Sequence, residues 1–139
     1  MLFLDTSALV KRYVEEEGTG PVLELMNRDR DWSASALCLS EARITLCHLP
    51  VDEETASRLA DALEDDWDRL FVVPVDELCL SEAIELGCRH RLRTLDAVHL
   101  AAAGRIPGPV TFVSFDGRQL EAASALGLAL ADLEEPPRL

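Results

Sequence analysis

Two aspartates follow apolar segments that are typical of buried strands. Asp5 ends the run "LFLD", and Asp116 ends the run "VTFVSFD". In open α/β sheets, ligands bind outside the carboxyl ends of the strands, so we expect both carboxylates at one edge of a sheet. Aspartate is also a common helix N-cap, and a purely structural capping role stays open for each of them at this point.

Two further acids are predicted at the starts of helices. Glu41 follows "WSASALCLS", and Ser40 is the predicted N-cap that places Glu41 in a first helical turn. Asp96 opens "DAVHLAAA", a helix with almost no other polar residue. Burying a carboxylate among such residues is costly unless it is paired, protonated or bound to a metal. The alternative for Asp96 is again an N-cap.

These four acids would form a site made only of oxygen ligands, comprising Asp5, Glu41, Asp96 and Asp116. Clustered carboxylates repel one another, and a divalent cation removes that cost. Oxygen ligands suit Mg²⁺ or Mn²⁺ rather than zinc. Such ions activate water and stabilise displacement at phosphorus, so the pattern predicts chemistry on a phosphate ester.

The elements that must position these acids alternate between strands and helices. Predicted strands include "LFLD", "WSASAL", "FVVPV" and "VTFVSFD", and amphipathic or apolar helical segments separate them. This alternation predicts an α/β sandwich with a central, mostly parallel sheet flanked by helices. We find no linker, and we expect one domain over residues 1–139.

Composition restricts the classes of function. The net charge is −13, with 26 acidic and 13 basic residues, which argues against broad non-specific nucleic-acid binding. It still permits a nucleic acid held at a local basic patch or through metal ions, and it suits a basic partner. The start "MLFLDTSALVK" has no basic region before its apolar residues, and no apolar run approaches about 18 residues, so we expect a cytoplasmic protein without a membrane span.

Four segments together resemble the PIN domain, and in particular the VapC-like toxin ribonucleases of bacterial toxin–antitoxin pairs. They are "FLDTSALVK", "SEA", "LRTLDAVHLAAA" and "FVSFDGRQLEAASALGL", and the resemblance covers essentially the whole chain. It implies a PIN-like three-layer sandwich and an endoribonuclease that depends on Mg²⁺ or Mn²⁺ bound by the four acids. It also implies a homodimer, inhibition by a cognate antitoxin, and roles for Ser7 and Ser114 in holding water or carboxylates.

The sequence "LCLSEA" occurs twice, at residues 37–42 and 78–83. The first copy carries Glu41, where the family has its second acid. The second copy carries Glu82, at a place where the family has no metal ligand. We interpret Glu82 as a solvated acid at a helix start, favoured there by the helix dipole.

Basic residues are concentrated just before Asp96, in the segment "RHRLR". Arg89, Arg91 and Arg93 could hold an RNA backbone near the metal, or they could simply be a solvated helix end that favours the helix dipole. The sequence leaves both interpretations open. His99, one turn after Asp96, is interpreted as a packed core residue rather than as part of the site.

Other functions remain as alternatives. A non-catalytic PIN-like module would keep the fold and bind only a partner, although four intact acids argue against it. A haloacid-dehalogenase-like phosphohydrolase would use Asp5 as a nucleophile, but Ser7 stands where its second aspartate is expected.

The four cysteines contain no CxxC pair, which favours reduced thiols over a zinc site. For the antitoxin, we expect a basic, partly apolar C-terminal segment that binds beside Leu9, Tyr13 and Val14.

Overall fold

A computed structural model describes residues 1–133 of the chain. These residues form five strands and seven helices. In chain order they are β1 (Leu2–Leu4), α1 (Thr6–Val10), α2 (Thr19–Arg28), β2 (Trp32–Ser35), α3 (Leu37–Cys47), α4 (Glu53–Trp67), β3 (Phe71–Val73), α5 (Glu77–His90), α6 (Thr94–Gly104), β4 (Thr111–Val113), α7 (Gly117–Ala125) and β5 (Ala129–Leu130).

All five strands belong to one sheet in the order β3-β2-β1-β4-β5, and every neighbouring pair is parallel. The α/β sandwich expected from the sequence is therefore confirmed. β1 lies at the centre, between β2 and β4. The strand order reverses direction at β1, and the edge outside its carboxyl end is where an open parallel sheet binds ligands.

The core consists of two apolar clusters, one on each face of the sheet. Because side chains alternate along a strand, Leu2 and Leu4 of β1 join the cluster under α1–α4, while Phe3 joins the cluster under α5–α7. Phe3 stacks on Phe112 of β4 with 5.7 Å between ring centroids. Such an aromatic pair adds about 0.5–1.5 kcal/mol beyond its area burial. The two clusters make this a three-layer structure and fix β1 and β4 side by side.

The start of α3 and the place of the Ser-Glu pair in α3 and α5 differ from the sequence-based prediction. α3 starts at Leu37, two residues after Ser35, the last residue of β2. Its N-cap is Ala36 rather than the predicted Ser40. α5 starts at Glu77, with Asp76 as N-cap. The strong hydrophobic pattern located both helices, but the Ser-Glu pair that suggested a helix start lies inside each of them.

The repeated "LCLSEA" segment encodes a packing surface. In both copies the cysteine and the alanine four residues later are buried: Cys38 and Ala42 in α3, and Cys79 and Ala83 in α5. Residues four apart share a helix face. In α3 this face meets the end of β1, where Sγ of Cys38 lies 3.9 Å from the carbonyl of Leu4, and in α5 it meets α6, where Sγ of Cys79 lies 3.9 Å from the carbonyl of Val98. Glu82 is the sixth residue of α5, so its interpretation as a helix-start acid was wrong.

Candidate active site

Asp5 lies directly after β1, at the centre of the sheet's carboxyl edge, and only 5% of its surface is exposed. Its backbone N–H donates to the carbonyl of Val113 at 3.0 Å, which ties the ends of β1 and β4 together. Within residues 1–133, its side chain makes no capping hydrogen bond to the backbone of α1. The capping explanation therefore does not apply to Asp5.

Two serines hold the same oxygen of Asp5. The hydroxyl of Ser7 lies 2.8 Å from Oδ2 of Asp5 and donates to it, and the hydroxyl of Ser114 lies 3.3 Å from the same atom. The resemblance suggested both serines, and the structure places both on this carboxylate. The hydroxyl of Ser114 also lies 2.6 Å from Oε1 of Gln119, which is the nearer of its two acceptor oxygens. Its single proton can serve only one of these acceptors at a time.

Asp116 follows β4 and does act as an N-cap. Its Oδ1 accepts a hydrogen bond of 2.9 Å from the backbone N–H of Gln119 and so begins α7. The cap engages Oδ1, so Oδ2 is the oxygen that could meet a ligand. The backbone N–H of Asp116 donates to the hydroxyl of Ser114 at 3.1 Å. Asp116 is thus held in position by the residues that also surround Asp5.

Gln119 is a site residue that the sequence analysis missed. It is fully buried, and its Nε2 donates to the backbone carbonyl of Asp96 at 3.2 Å while its Oε1 contacts Ser114. It therefore joins α7 to the start of α6 and to the end of β4. The sequence feature that could have predicted its role is its position three residues after Asp116. There it lies on the face of α7 that also carries the buried Ala122 and Ala123.

Asp96 is the third residue of α6 and is half-buried. The N-cap of α6 is Arg93, so Asp96 is not the cap. Burial raises the pKa of Asp96, and the negative charges of Asp5 and Asp116 raise it further. The positive charges of His99 and Arg93 lower this pKa but do not outweigh the effects that raise it, so negative charge around Asp96 is only partly compensated.

Glu41 is directed to a histidine. It is the fifth residue of α3, one turn later than predicted, and its Oε1 accepts a hydrogen bond of 2.9 Å from the hydroxyl of Thr6. The same oxygen is hydrogen-bonded to Nε2 of His99. Nδ1 of His99 lies 2.8 Å from the hydroxyl of Ser35, and its Nε2 lies 3.9 Å from Oδ1 of Asp5. His99 therefore joins Glu41 to the aspartate side of the site.

His99 is 1% exposed, so it is packed in the core as the sequence suggested, but it is also part of the site. The hydrogen bond to His99 lowers the pKa of Glu41. Burial alone would lower the pKa of His99, but the bond to Glu41 and the charges of Asp5, Glu41 and Asp96 outweigh it, so this pKa is raised. The contacts of Thr6 and Ser35 could have been anticipated, because both residues lie at the carboxyl ends of strands.

Arginines border the aspartates on one side. A cavity of about 420 Å³ is lined by Arg91, Leu92, Arg93, Asp96, Asp116, Gly117 and Arg118. Arg91 and Arg93 are thus beside the acids, as one interpretation of the basic segment expected. Arg89 is not among the cavity's lining residues in the described part of the chain. Arg118 was missed by the sequence analysis, and its guanidinium lies 3.4 Å from the carbonyl of Arg91.

The donor set suits a hard cation, but no metal site is preformed. Within residues 1–133, no three His, Cys, Asp or Glu side chains are arranged so that they could hold a metal ion. Asp5 is bonded to serines, Asp116 caps its helix, and Glu41 is bonded to His99. A cation would have to compete with these hydrogen bonds, and convergence of all four acids on one ion remains a prediction.

Comparison with known proteins assigns the fold to a family. Residues 2–125 match the model of the PIN domain. The chain belongs to the PIN domain family. This PIN domain is 30% identical over 138 residues to Ribonuclease VapC47 of Mycobacterium tuberculosis, an alignment that covers 94% of this chain and 96% of the relative.

Solved structures share the fold. The crystal structure of FitAcB from Neisseria gonorrhoeae matches this PIN domain with a TM-score of 0.72 at 18% identity, over 95% of this chain and 97% of the other. A toxin–antitoxin complex from Klebsiella pneumoniae matches with a TM-score of 0.65 at 13% identity, over 86% and 88% of the two chains. Within the part of the chain that the structure describes, no helix is both long and apolar enough to span a membrane.

Proposed function

We propose that this PIN domain is a divalent-metal-dependent endoribonuclease and the toxin of a toxin–antitoxin pair. The observation that carries the proposal is the position of Asp5 and Asp116 at the carboxyl ends of the neighbouring strands β1 and β4. Asp96 lies close enough for their charges to raise its pKa. A cluster of acids with uncompensated charge, of which Asp5 is buried and Asp96 half-buried, is what a site for a hard cation requires. The name of the relative, a ribonuclease, supports RNA as the substrate.

The metal ligands would be Asp5, Glu41, Asp96 and Asp116, and bound Mg²⁺ or Mn²⁺ would supply water activation and charge stabilisation at the phosphate. The chain's own residues orient these ligands. Ser7 and Ser114 fix the rotamer of Asp5, because both contact its Oδ2. Thr6 and His99 hold the Glu41 carboxylate through its Oε1.

The arginine-lined cavity supports a role in substrate binding. Arg91, Arg93 and Arg118 would contact phosphate oxygens next to the acids. Guanidinium groups match phosphate geometry better than ammonium groups do. In a protein with a net charge of −13, this local cluster would restrict RNA binding to the active-site edge. Arg89 remains an untested candidate for the same role.

The direct test is cleavage of a labelled single-stranded RNA by the purified protein. We expect cleavage with Mn²⁺ or Mg²⁺, none with excess chelator, and a large loss in the Asp96→Asn variant. Asp61→Asn is the matched control, because Asp61 is an exposed aspartate of α4. If the folded wild-type protein leaves RNA intact with either ion, the ribonuclease proposal fails and the binding-module alternative takes its place. That alternative is favoured by one observation, the engagement of Glu41 by His99.

An antitoxin partner is supported by the similarity to a toxin–antitoxin complex. The docking position expected from the sequence needs correction, because Leu9 is fully buried and cannot line an exposed groove. Tyr13 and Val14 are half-buried against the same core. A basic antitoxin segment would be drawn to the acidic protein, and arginine would pair with the site carboxylates. Titration of such a peptide with and without Mn²⁺ tests this, because the peptide and the ion should compete.

A homodimer is supported by an exposed apolar surface formed by α5 and α6. Ile84 is 67% exposed, and Leu80 and Leu95 are each 46% exposed. Beside them lies a cavity of about 480 Å³ lined mainly by apolar residues of the two helices. Acids lie toward the start of α5 and bases at its end, so two antiparallel copies would bring opposite charges together. We therefore propose this surface, named the α5–α6 surface, as the dimer interface of a cytoplasmic protein.

A further inference from the structure

Phe115 is an exposed aromatic residue between two residues of the site. It separates Ser114 from Asp116, and 39% of its surface is exposed. The apolar residues that precede it in β4, Phe112 and Val113, are fully buried. An aromatic side chain kept in solvent beside the acids is available to contact whatever occupies the site.

The ring is held in place although it is exposed. Nζ of Lys11 lies 4.5 Å from the ring centroid, and the backbone N–H of Phe115 donates to the hydroxyl of Ser7 at 3.4 Å. Lys11 is itself fixed, because Nζ lies 3.0 Å from Oε1 of Glu16 and 2.6 Å from the carbonyl of Glu17. The ring therefore contacts the fixed ammonium group of Lys11, and the backbone of the same residue is hydrogen-bonded to Ser7 in the site.

Gly18 supports the ring from the side. A Cβ at position 18 would lie 2.8 Å from Cε1 of Phe115, a distance too short for any side chain. Gly18 also has a φ of +89°, a left-handed conformation that glycine adopts without steric cost. Both observations explain glycine at this position, where the backbone approaches the ring directly. Phe115 is thus preorganised, and a ligand that contacts it loses little side-chain entropy on binding.

A cavity extends from the ring. It has a volume of about 490 Å³ and is lined by Lys11, Glu17, Gly18, Phe115 and Leu133. This volume is within the range of pockets that bind small organic groups. Asp116, the residue after Phe115, lines the other cavity, which contains Arg91, Arg93 and Arg118. One cavity presents an aromatic ring, and the other presents guanidinium groups together with the carboxylates of Asp96 and Asp116.

This combination matches the two parts of a nucleotide. A nucleobase stacks on an aromatic ring whatever its sequence, and its phosphate pairs with arginine. Stacking does not depend on charge, which matters in a chain with a net charge of −13 that attracts phosphate weakly. A contact of this kind supplies affinity for RNA without requiring a basic surface.

We propose that Phe115 is a stacking platform for one unpaired nucleobase of the RNA substrate, next to the phosphate that lies at the acids. The proposal rests on the ribonuclease function above and adds to it the requirement for an unstacked base. It makes Phe115 a determinant of the preference for single-stranded RNA, because a base inside a duplex cannot leave its stack without a cost.

The test scans an abasic nucleotide along a short fluorescent RNA and measures binding by anisotropy in chelator, so that no cleavage occurs. For the wild-type protein, we expect one abasic position to weaken binding by about 5-fold to 150-fold. Phe115→Leu should weaken binding of the intact RNA by a similar factor, and the same abasic position should then have no further effect. Phe115→Trp should retain both the affinity and the sensitivity to that position.

The matched control is Phe71→Leu. Phe71 is 53% exposed, but it is the first residue of β3, so it lies toward the amino edge of the sheet, away from the acids. If Phe115→Leu binds and cuts RNA like the wild type, the stacking proposal is overturned while the ribonuclease function stands. If only the antitoxin peptide loses affinity, Phe115 is a protein-docking residue and the proposal is also overturned. Failure of the wild type to cut any RNA would instead remove the ribonuclease function.

Discussion

Nε2 of His99 is hydrogen-bonded to Oε1 of Glu41, which joins a buried histidine of α6 to a half-buried carboxylate of α3. The pKa of the histidine is raised and that of the glutamate is lowered, so the pair is most stable with both groups charged. Glu41 is therefore positioned by a residue type whose charge varies near neutral pH.

The first prediction concerns the stability of this pair in chelator. The pair contributes to the free energy of unfolding only when Glu41 is ionised and His99 is protonated. This contribution should be complete between the unfolded-state pKa values of glutamate, about 4.3, and histidine, about 6.5. It should be lost as pH rises through the raised pKa of His99, and also as pH falls through the lowered pKa of Glu41. Urea unfolding of wild type and His99→Gln should therefore differ most near pH 5.5. A difference that grows steadily toward pH 9 would contradict this.

The second prediction separates the two copies of "LCLSEA". Glu41→Gln should abolish metal-dependent RNA cleavage, because it removes a proposed metal ligand. Glu82→Gln should leave cleavage nearly unchanged, because Glu82 lies in α5, a helix of the other layer. Initial cleavage rates of the two variants at saturating Mn²⁺ provide the measurement. Equal losses would show that the two acids were assigned wrongly.

The third prediction concerns the metal. A ligand that binds only the folded state stabilises it by about 2.7 kcal/mol at 100 times its dissociation constant. Millimolar Mn²⁺ should therefore raise the melting temperature of the wild type. Asp96→Asn should reduce this increase, and it should not lower the stability of the metal-free form, since it removes a charge whose burial raises its pKa. A melting temperature that is indifferent to both ions would exclude a site of this kind.

The fourth prediction concerns a cluster outside the site. Asp66 of α4 is 5% exposed and accepts hydrogen bonds from Nε of Arg12 at 2.8 Å and from the hydroxyl of Tyr13 at 2.7 Å. Burial raises the pKa of Asp66, but these bonds outweigh it and the pKa is lowered. The contribution of ionised Asp66 to the free energy of unfolding is complete above the unfolded-state pKa of aspartate, about 3.9. It is lost as the pH falls through the lower pKa of Asp66 in the folded protein.

Asp66→Asn should therefore cost about 1–3 kcal/mol of unfolding free energy at pH 7. The difference from wild type should shrink as the solution is acidified below about pH 4. Denaturant unfolding at several pH values measures both effects. Asp61→Asn, an exposed change in the same helix, should be nearly neutral throughout.

The fifth prediction tests the α5–α6 surface. Ile84→Glu should convert a dimer to a monomer, because two copies would then bury unpaired carboxylates at the interface. Light scattering coupled to size exclusion gives the mass directly. Ile44→Glu is the matched control, since Ile44 is an isoleucine of α3 that is 58% exposed. Loss of the dimer in both variants, or in neither, would place the interface elsewhere.

The sequence alone determined the fold class and the position of most candidate site residues. Alternation of apolar strands and helices depends on local periodicity, which a single chain displays directly. The rule that polar residues at strand ends meet at one edge then identified Asp5 and Asp116, and the same edge contains Ser7 and Ser114. These predictions held because they depend on neighbours in the chain and on the geometry of a parallel sheet.

Only the tertiary structure decided what each acid contacts. The pairing of Glu41 with His99 joins residues 58 positions apart, and the link from Gln119 to Asp96 joins α7 to α6. α3 begins at Leu37 rather than at the predicted Ser40, and Cys38, which precedes the predicted start, is buried with its Sγ 3.9 Å from the carbonyl of Leu4. Several local conformations of a short segment have nearly equal free energy, and long-range packing determines which of them forms. A short segment of sequence therefore does not predict the outcome.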